Sequence, residues 1–76
     1  MKTHLISKKD FNDFKNLKMK EINKSFKKSP SVLLACVATL YVNENNIDCD
    51  ILGVGMGNGG FQMIPIDTKL VSQIIW

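Results

Sequence analysis

Apolar residues recur at steps of three and four through the N-terminal third of the chain. They are Phe11, Phe14, Leu17, Met19, Ile22 and Phe26. At 100° per residue these positions form one broad apolar arc, which is typical of an amphipathic helix. Ser7 and Asp10 have the spacing of a capping box at its start. The helix is predicted to end at Ser29-Pro30, because the residue before proline avoids helical dihedral angles.

Lysines lie mainly on the opposite side of this predicted helix, at Lys9, Lys20, Lys24 and Lys27. Two others, Lys15 and Lys18, fall inside the apolar arc instead. Either their stems pass along the core while the ammonium groups reach water, or the helix bends near Asn16.

The most apolar part of the chain, residues 31–42, is compatible with two structures. Ser29-Pro30 is able to start a new helix, since proline is favoured in the first helical turn. A strand is the favoured interpretation, because β-branched and aromatic residues are frequent here. As a strand, the segment directs Leu33, Ala35 and Val37 to one face and Leu34, Cys36 and Leu40 to the other.

Turn signals divide the next part of the chain into two further strands. The polar run 43–46 predicts a turn, and a second strand follows at about residues 47–56. The run Gly57-Asn58-Gly59-Gly60 is the strongest turn signal in the sequence. A third strand, residues 61–66, is expected at a sheet edge because Pro65 donates no backbone hydrogen bond.

The C-terminal segment is either a short helix capped by Asp67 or Thr68, or a fourth strand. The predicted fold class is therefore α+β, in a single small domain spanning residues 1–76. It consists of an N-terminal amphipathic helix packed on a three-stranded antiparallel meander, followed by a short C-terminal helix or strand.

Glycines alternate along the second predicted strand, at Gly53, Gly55 and Gly57, so they share one sheet face. A strip without side chains allows another backbone or a flat ligand to approach closely. We expect the chain's own helix to pack there, and the alternative is a docking groove for a partner. The candidate partner-binding residues of this strand are these glycines and Met56, which lies on the opposite face.

Residues 55–60 also match the pattern G-x-G-x-x-G of dinucleotide-binding sites. That site needs a helix directly afterwards, because the helix N-terminus binds the pyrophosphate. The residues that follow, 61–65, are typical of a strand. We interpret the glycine run as a hairpin turn and expect no cofactor.

Both faces of the predicted sheet are apolar, since Leu52 and Val54 lie opposite the glycines. One long helix covers only one face. The terminal segment or a second chain is therefore expected to cover the other, because large exposed apolar surfaces usually mark interfaces. This is the main argument for a protein partner or a homodimer.

Charge is divided unevenly along the chain. Residues 1–29 carry nine lysines against three acids, a formal charge of +6, whereas residues 30–76 carry −3. Helical lysines, above all Lys20, Lys24 and Lys27, are suited to nucleic-acid phosphates. However, the chain has no arginine, the usual bidentate reader of guanine. Nucleic-acid binding is therefore the alternative function.

Several classes of protein are excluded by composition. No apolar run approaches the roughly 20 residues that span a bilayer, and residues 1–4 lack the pattern of a signal peptide. Cys36 and Cys49 are too few for a disulfide scaffold, so we expect reduced thiols in a cytoplasmic protein. One histidine and two separated cysteines make no zinc set, and no metal is expected.

No arrangement of nucleophile and base is recognisable, and the chain is predicted not to be an enzyme. Asp48 and Asp50 form a pair of carboxylates, but they flank a turn and are expected to keep a strand end solvated. Cys36 and Cys49 fall in apolar strands, where thiols are unreactive. His4 falls in a segment that is expected to be loose.

These features favour a small cytoplasmic protein that acts by binding. The favoured class is an inhibitor or adaptor of the kind made by phages and mobile elements, which docks on a larger protein or self-associates through an apolar sheet face. The alternatives are a basic nucleic-acid-binding module that uses the helical lysines, and a small oligomer that sequesters a ligand at the glycine-rich turn.

Overall fold

Residues 1–75, which the computed structural model describes, form a layer of helices over one face of a three-stranded sheet. The strands are β1 (Thr3–Ile6), β2 (Ile51–Gly55) and β3 (Phe61–Pro65), and the helices are α1 (Lys8–Lys18), α2 (Pro30–Glu44) and α3 (Val71–Ile74). Short 3-10 turns at Lys24–Lys27 and Thr68–Leu70 precede α2 and α3. The predicted α+β class is confirmed.

The sheet is mixed, with β2 in the centre, β1 parallel to it and β3 antiparallel to it. The predicted antiparallel meander is therefore wrong. Its first strand comes instead from the segment around His4, which the sequence predicts to be loose because four residues are too few to show a period. Parallel strands need a crossover of a dozen or more residues, and here α1 and α2 supply it.

The predicted N-terminal helix is confirmed at its start and wrong at its end. Ser7 caps α1, since its side-chain oxygen accepts a hydrogen bond of 3.1 Å from the backbone amide of Asp10. The helix ends at Lys18 and does not continue to Ser29. The apolar arc of the sequence therefore combines one face of α1 with residues of the connection that follows.

The connection after α1 leaves the helical path in order to meet the C-terminal segment. Ile22 is fully buried and forms an isolated antiparallel bridge with Ile75. The backbone amide of Asn23 donates a hydrogen bond of 2.7 Å to the carbonyl oxygen of Ile74. These backbone groups bond to a distant segment, so they are not available for a continued helix.

Residues 31–42, predicted as a strand with two faces, form the interior of α2. The helical alternative is the correct one, with Ser29 as the N-cap residue and Pro30 in the first turn. Cys36 to Leu40 are buried without interruption. A helix that is covered on all sides has no polar face, so its period of 3.6 cannot be recognised. Tertiary burial here outweighs β propensity.

The glycine-rich turn is confirmed as the connection of a β2–β3 hairpin. Gly57 and Gly59 have φ of 83° and 89°, a region that glycine occupies without the strain that a side chain would bring. β3 lies at the sheet edge, as Pro65 predicts. The second predicted strand, 47–56, is also real, but its ordered ladder begins only at Ile51.

The C-terminal segment is helical, which is the first of the two predicted alternatives. Asp67 is the capping residue, because its side chain accepts a hydrogen bond of 3.1 Å from the backbone amide of Lys69. One 3-10 turn and the single turn of α3 follow. Fully buried Ile74 then fixes this segment against the core.

Lys18 links the end of α1 to the end of α2. Its ammonium lies 2.7 Å from the Glu44 carboxylate, 3.6 Å from that of Glu21 and 5.5 Å from the centre of the Phe14 ring. Phe14 in turn packs edge-on against Tyr41. The Lys18 side chain is only 18% exposed, so its stem passes along the core. This is the first of the two alternatives predicted for the lysines inside the apolar arc. The hydrogen bond to Glu44 raises the pKa of Lys18.

Replacing Lys18 by Met should lower the free energy of unfolding by about 1 kcal/mol, because a largely covered ion pair is lost while the apolar stem is kept. The folded-state pKa of this ammonium is raised, so its stabilisation is present at neutral pH and disappears only in alkaline solution, as the group deprotonates. Urea denaturation from pH 7 into the alkaline range measures both effects.

The matched control is Lys9→Met in the same helix. Lys9 pairs with Asp13 at 2.9 Å, but both side chains are well exposed. This control should leave the urea midpoint unchanged. Equal effects of the two substitutions would contradict a specific role of Lys18.

Candidate interaction surface

The two faces of the sheet differ in exposure. One face is buried beneath the helices through Ile6, Leu52, Val54 and Ile64. The residues that alternate with these point away from the helices. They define the outer face: Thr3 and Leu5 of β1, Ile51, Gly53 and Gly55 of β2, and Phe61, Met63 and Pro65 of β3.

The outer face is not covered by any element of residues 1–75. Leu5, Phe61 and Met63 remain 54%, 48% and 50% exposed. Three large apolar side chains, each about half exposed, therefore share one side of the sheet. Monomeric proteins rarely show contiguous apolar patches beyond a few hundred Å², and the largest patch is often functional.

Gly53 determines how the outer face is built. A Cβ atom at this position would lie 2.7 Å from Leu5 Cδ2 and 3.1 Å from Met63 Sδ. Side chains from the two edge strands therefore meet over the central strand and cover the glycine. Beside them, a Cβ atom at Gly55 would lie 3.9 Å from the Phe61 ring. The apolar surface is thus continuous from β1 to β3.

The prediction that the chain's own helix packs on the glycine strip is wrong. The helices lie on the Leu52 side of the sheet. Side chains of the neighbouring strands cover Gly53, whereas a Cβ atom added at Gly55 would lie 3.7 Å from the Ile6 carbonyl oxygen and 3.7 Å from the Lys8 amide nitrogen at the start of α1. Gly53 and Gly55 share the outer face as predicted. Gly57 lies beyond β2 in the turn, where no atom would lie within 4 Å of an added Cβ. A groove along the glycines is therefore filled at Gly53 by the Leu5 and Met63 side chains.

Met56, the remaining candidate residue of this strand, lies on the side opposite the outer face. It lines a cleft of about 150 Å³ together with Phe11, Leu34 and Val54. Sites for drug-sized molecules start at about 300 Å³, whereas about 150 Å³ accommodates a single ring. The cleft is too small for a dinucleotide.

The lysines that were predicted to share one helical face are divided between α1, the connection after it and a 3-10 turn. Lys9 pairs with Asp13. Lys20, Lys24 and Lys27 have no carboxylate within 4 Å among residues 1–75, and Lys27 is half-buried. The predicted continuous helical stripe of phosphate-binding lysines is therefore not formed, although these three cations remain unpaired.

Asp48 and Asp50, the carboxylate pair of the sequence analysis, both bind Lys2, which directly precedes β1. The Lys2 ammonium contacts Asp48, and its backbone amide donates a hydrogen bond of 3.1 Å to Asp50. The backbone amides of Asp50 and Ile51 donate in return to the Lys2 carbonyl oxygen. These groups hold β1 beside β2.

Two further findings concern the described part of the chain. Its His, Cys, Asp and Glu side chains do not gather in any group of three that would suit a metal ion. None of its helices has both the length and the apolar character that crossing a membrane requires.

Sequence reasoning missed the three side chains that make the outer face apolar. Leu5 was missed because β1 was not recognised. Phe61 and Met63 alternate with the polar residue Gln62, and this period of two is the signal that could have identified their shared face. Whether these side chains are exposed depends on which face of the sheet the helices cover. The sequence pattern of β3 does not indicate that face.

Burial raises the pKa of the Cys36 thiol, and burial together with the charge of Asp50 raises that of Cys49. Both thiols are free. The prediction that Cys36 falls in an apolar strand is wrong, because Cys36 lies in α2. Less thiolate at neutral pH means slow reaction with electrophiles.

Alkylation at neutral pH should therefore be slow for both thiols and slowest for Cys36, which is 3% exposed. Unfolding in guanidinium should make both react rapidly. Mass spectrometry of the alkylated chain measures this, and mild oxidation should leave two free thiols per chain. Formation of an intramolecular bridge would contradict the prediction.

Comparisons with known proteins add no family to these observations. The chain matches no family model, no curated protein and no solved structure. The outer face and the unpaired lysines are therefore the features from which its function has to be argued.

Proposed function

We propose that this protein is a non-enzymatic binding protein that acts by protein–protein interaction through the outer face, as an inhibitor or adaptor of the phage or mobile-element type. The observation that carries the proposal is the continuous apolar surface of Leu5, Met63 and Phe61, each about half exposed on one side of the sheet. Helices cover the other face of the same sheet, so among residues 1–75 the outer face is the one that is accessible to a partner.

The size of the surface indicates the strength of the interaction. Fully burying an apolar side chain of this size is worth about 1.5–3 kcal/mol, so three side chains that are half exposed offer about 2–5 kcal/mol. Association itself costs an estimated 4–15 kcal/mol. The outer face therefore supplies a binding centre, and polar contacts around it have to add the remaining affinity. A transient or regulated complex fits this balance better than a permanent one.

Replacing Met63 by Lys should abolish binding of the partner, because a charge is placed in the centre of the apolar surface. The side chain is half exposed on an edge strand, so folding should be retained, which circular dichroism checks. The measurement is affinity capture from a lysate of the source organism, identification of the captured protein by mass spectrometry, and titration of the two purified proteins.

The matched control is Leu17→Lys, since Leu17 is an apolar residue of α1 that is 74% exposed. It introduces the same charge outside the outer face and should leave binding unchanged. Phe61→Lys is a second variant of the outer face. A partner that binds all of these variants with wild-type affinity would exclude the proposed surface. Light scattering across a concentration series shows whether a second copy is the partner.

Nucleic-acid binding is the second candidate function, and one observation favours it: Lys20, Lys24 and Lys27 have no carboxylate partner among residues 1–75. Against it stand the absence of arginine and the position of Phe11 in the core. A phosphate contact made by each lysine would contribute about one unit to the slope of log affinity against log salt.

We expect no binding of duplex or single-stranded nucleic acid at physiological salt, as measured by fluorescence anisotropy. Changing Lys20, Lys24 and Lys27 together to Gln should then leave the anisotropy unchanged. Stability should change little, because Lys20 and Lys24 are exposed and none of the three ammonium groups has a carboxylate partner among residues 1–75. Tight wild-type binding that the triple variant loses would make nucleic-acid binding the leading function.

A further inference from the structure

The free edge of β3 presents backbone groups that have no partner strand within residues 1–75, since only β2 lies beside β3 in the sheet. The Ile66 amide donates a hydrogen bond to the Asp50 carbonyl oxygen, and bonds alternate along an antiparallel ladder. The N–H and C=O groups of Phe61 and Met63 therefore point away from β2, to the free edge. Such a row of unpaired donors and acceptors is a template for another strand.

β3 also lacks the charges that usually keep edge strands apart. Charged side chains, lysine above all, are a common protection of a sheet edge, and residues 61–65 contain none. At the opposite edge, β1 is directly preceded by Lys2, whose ammonium contacts Asp48. Pro65 has no N–H to donate, so a ladder on the edge of β3 has to be built from the residues before it.

One two-fold register builds this ladder from β3 alone. When two copies of β3 run antiparallel about Gln62, Phe61 of each copy lies opposite Met63 of the other, and the N–H and C=O groups of both residues are all bonded. An axis at Met63 would need an N–H from Pro65. An axis at Phe61 would need an extended Gly59, whose φ is 89°. The axis at Gln62 avoids both obstacles.

The side chains fit the same register. Phe61 and Met63 are 48% and 50% exposed on the outer face, and facing residues of paired strands have Cβ atoms about 5 Å apart. Each phenyl ring then meets the thioether of the other copy, which is a favourable contact. Pro65 comes to lie opposite Gly59, where no atom would lie within 4 Å of an added Cβ. Gln62 is exposed and uncharged, so the axis brings no like charges together.

We infer that two copies of this chain associate edge to edge through β3, antiparallel about Gln62, so that their sheets join into one. Self-complementarity selects a second copy over the strand of another protein, because the same few residues supply the donors, the acceptors, the ring and the thioether to each other. The inference is independent of the proposed function, since it uses the edge of the sheet, whereas the outer faces of both copies stay on one side and remain accessible.

The first test uses the wild-type chain. The ladder is short, so the dissociation constant should be about 0.1–1 mM, and light scattering up to about 3 mM should show a mass that rises from one chain toward two. Over the same series, hydrogen exchange at the Phe61 and Met63 amides should slow as the concentration rises. The Leu5 amide points to the free edge of β1, because the Ile51 amide bonds to Lys2, and it should exchange at a constant rate.

The second test changes the residue on the axis. Gln62→Lys places two ammonium groups opposite each other and should raise the dissociation constant about fivefold. Gln62→Cys should form a disulfide between two chains under mild oxidation, because facing residues at a non-hydrogen-bonded position have Cα atoms within the range of a bridge. The matched controls are Asn16→Lys and Asn16→Cys, at an exposed residue of α1, which should leave association unchanged and cross-link at least about tenfold more slowly. Circular dichroism checks that each variant is folded.

A wild-type chain that stays monomeric up to about 3 mM would overturn the inference. Slower exchange at Leu5 in place of Phe61 and Met63, or equal cross-linking of Gln62→Cys and Asn16→Cys, would also overturn it, because the contact would then lie elsewhere. The inference and the proposed function can fail separately. If the chain is monomeric while Met63→Lys loses the captured protein, only the inference fails. If the dimer forms while Met63→Lys and Phe61→Lys retain the captured protein, only the proposed function fails.

Discussion

The burial of α2 is the constraint on which the rest of the structure depends. Val37, Ala38 and Leu40 have no exposed surface, so this helix needs apolar partners on several sides at once. The sheet supplies one of them through Leu52 and Ile64. The other elements are placed where they cover the remaining sides of α2.

The need to cover α2 on several sides explains why α1, α2 and α3 lie on the same face of the sheet. α1 and α3 pack against α2, and both use short apolar segments that would not form a core of their own. At 76 residues the chain buries only about 60% of the surface that its unfolded form exposes. Within residues 1–75 the helices complete one interior, and no element among these residues covers the second face of the sheet.

The outer face is the feature on which the proposed function rests. An edge strand or sheet face left in water is a place where another chain can add contacts. Gly53 allows Leu5 and Met63 to close over the central strand, which levels the surface and shields the β2 backbone. Pro65 has no N–H to donate at the free edge of β3, and the Lys2–Asp48 ion pair joins the segments that lead into β1 and β2.

The sequence by itself determined the features that depend on neighbouring residues. The Ser7 cap, the glycine turn and the edge position of β3 follow from local hydrogen bonding and dihedral preferences, whereas the Asp67 cap was one of several alternatives that the sequence left open. The alternation of glycines placed Gly53 and Gly55 on one face, and this much of the candidate surface was predictable. The uneven charge was also evident from composition.

Only the tertiary structure decided the features that depend on distant segments. Residues 31–42 are helical because burial on all sides outweighs β propensity, and such burial leaves no period in the sequence. β1 exists because β2 pairs with it across more than forty residues, and a run of four residues carries no such information. The exposure of Leu5 and Met63 depends on which face of the sheet the helices cover. The packing of α2 determines that face, and no local sequence pattern encodes it.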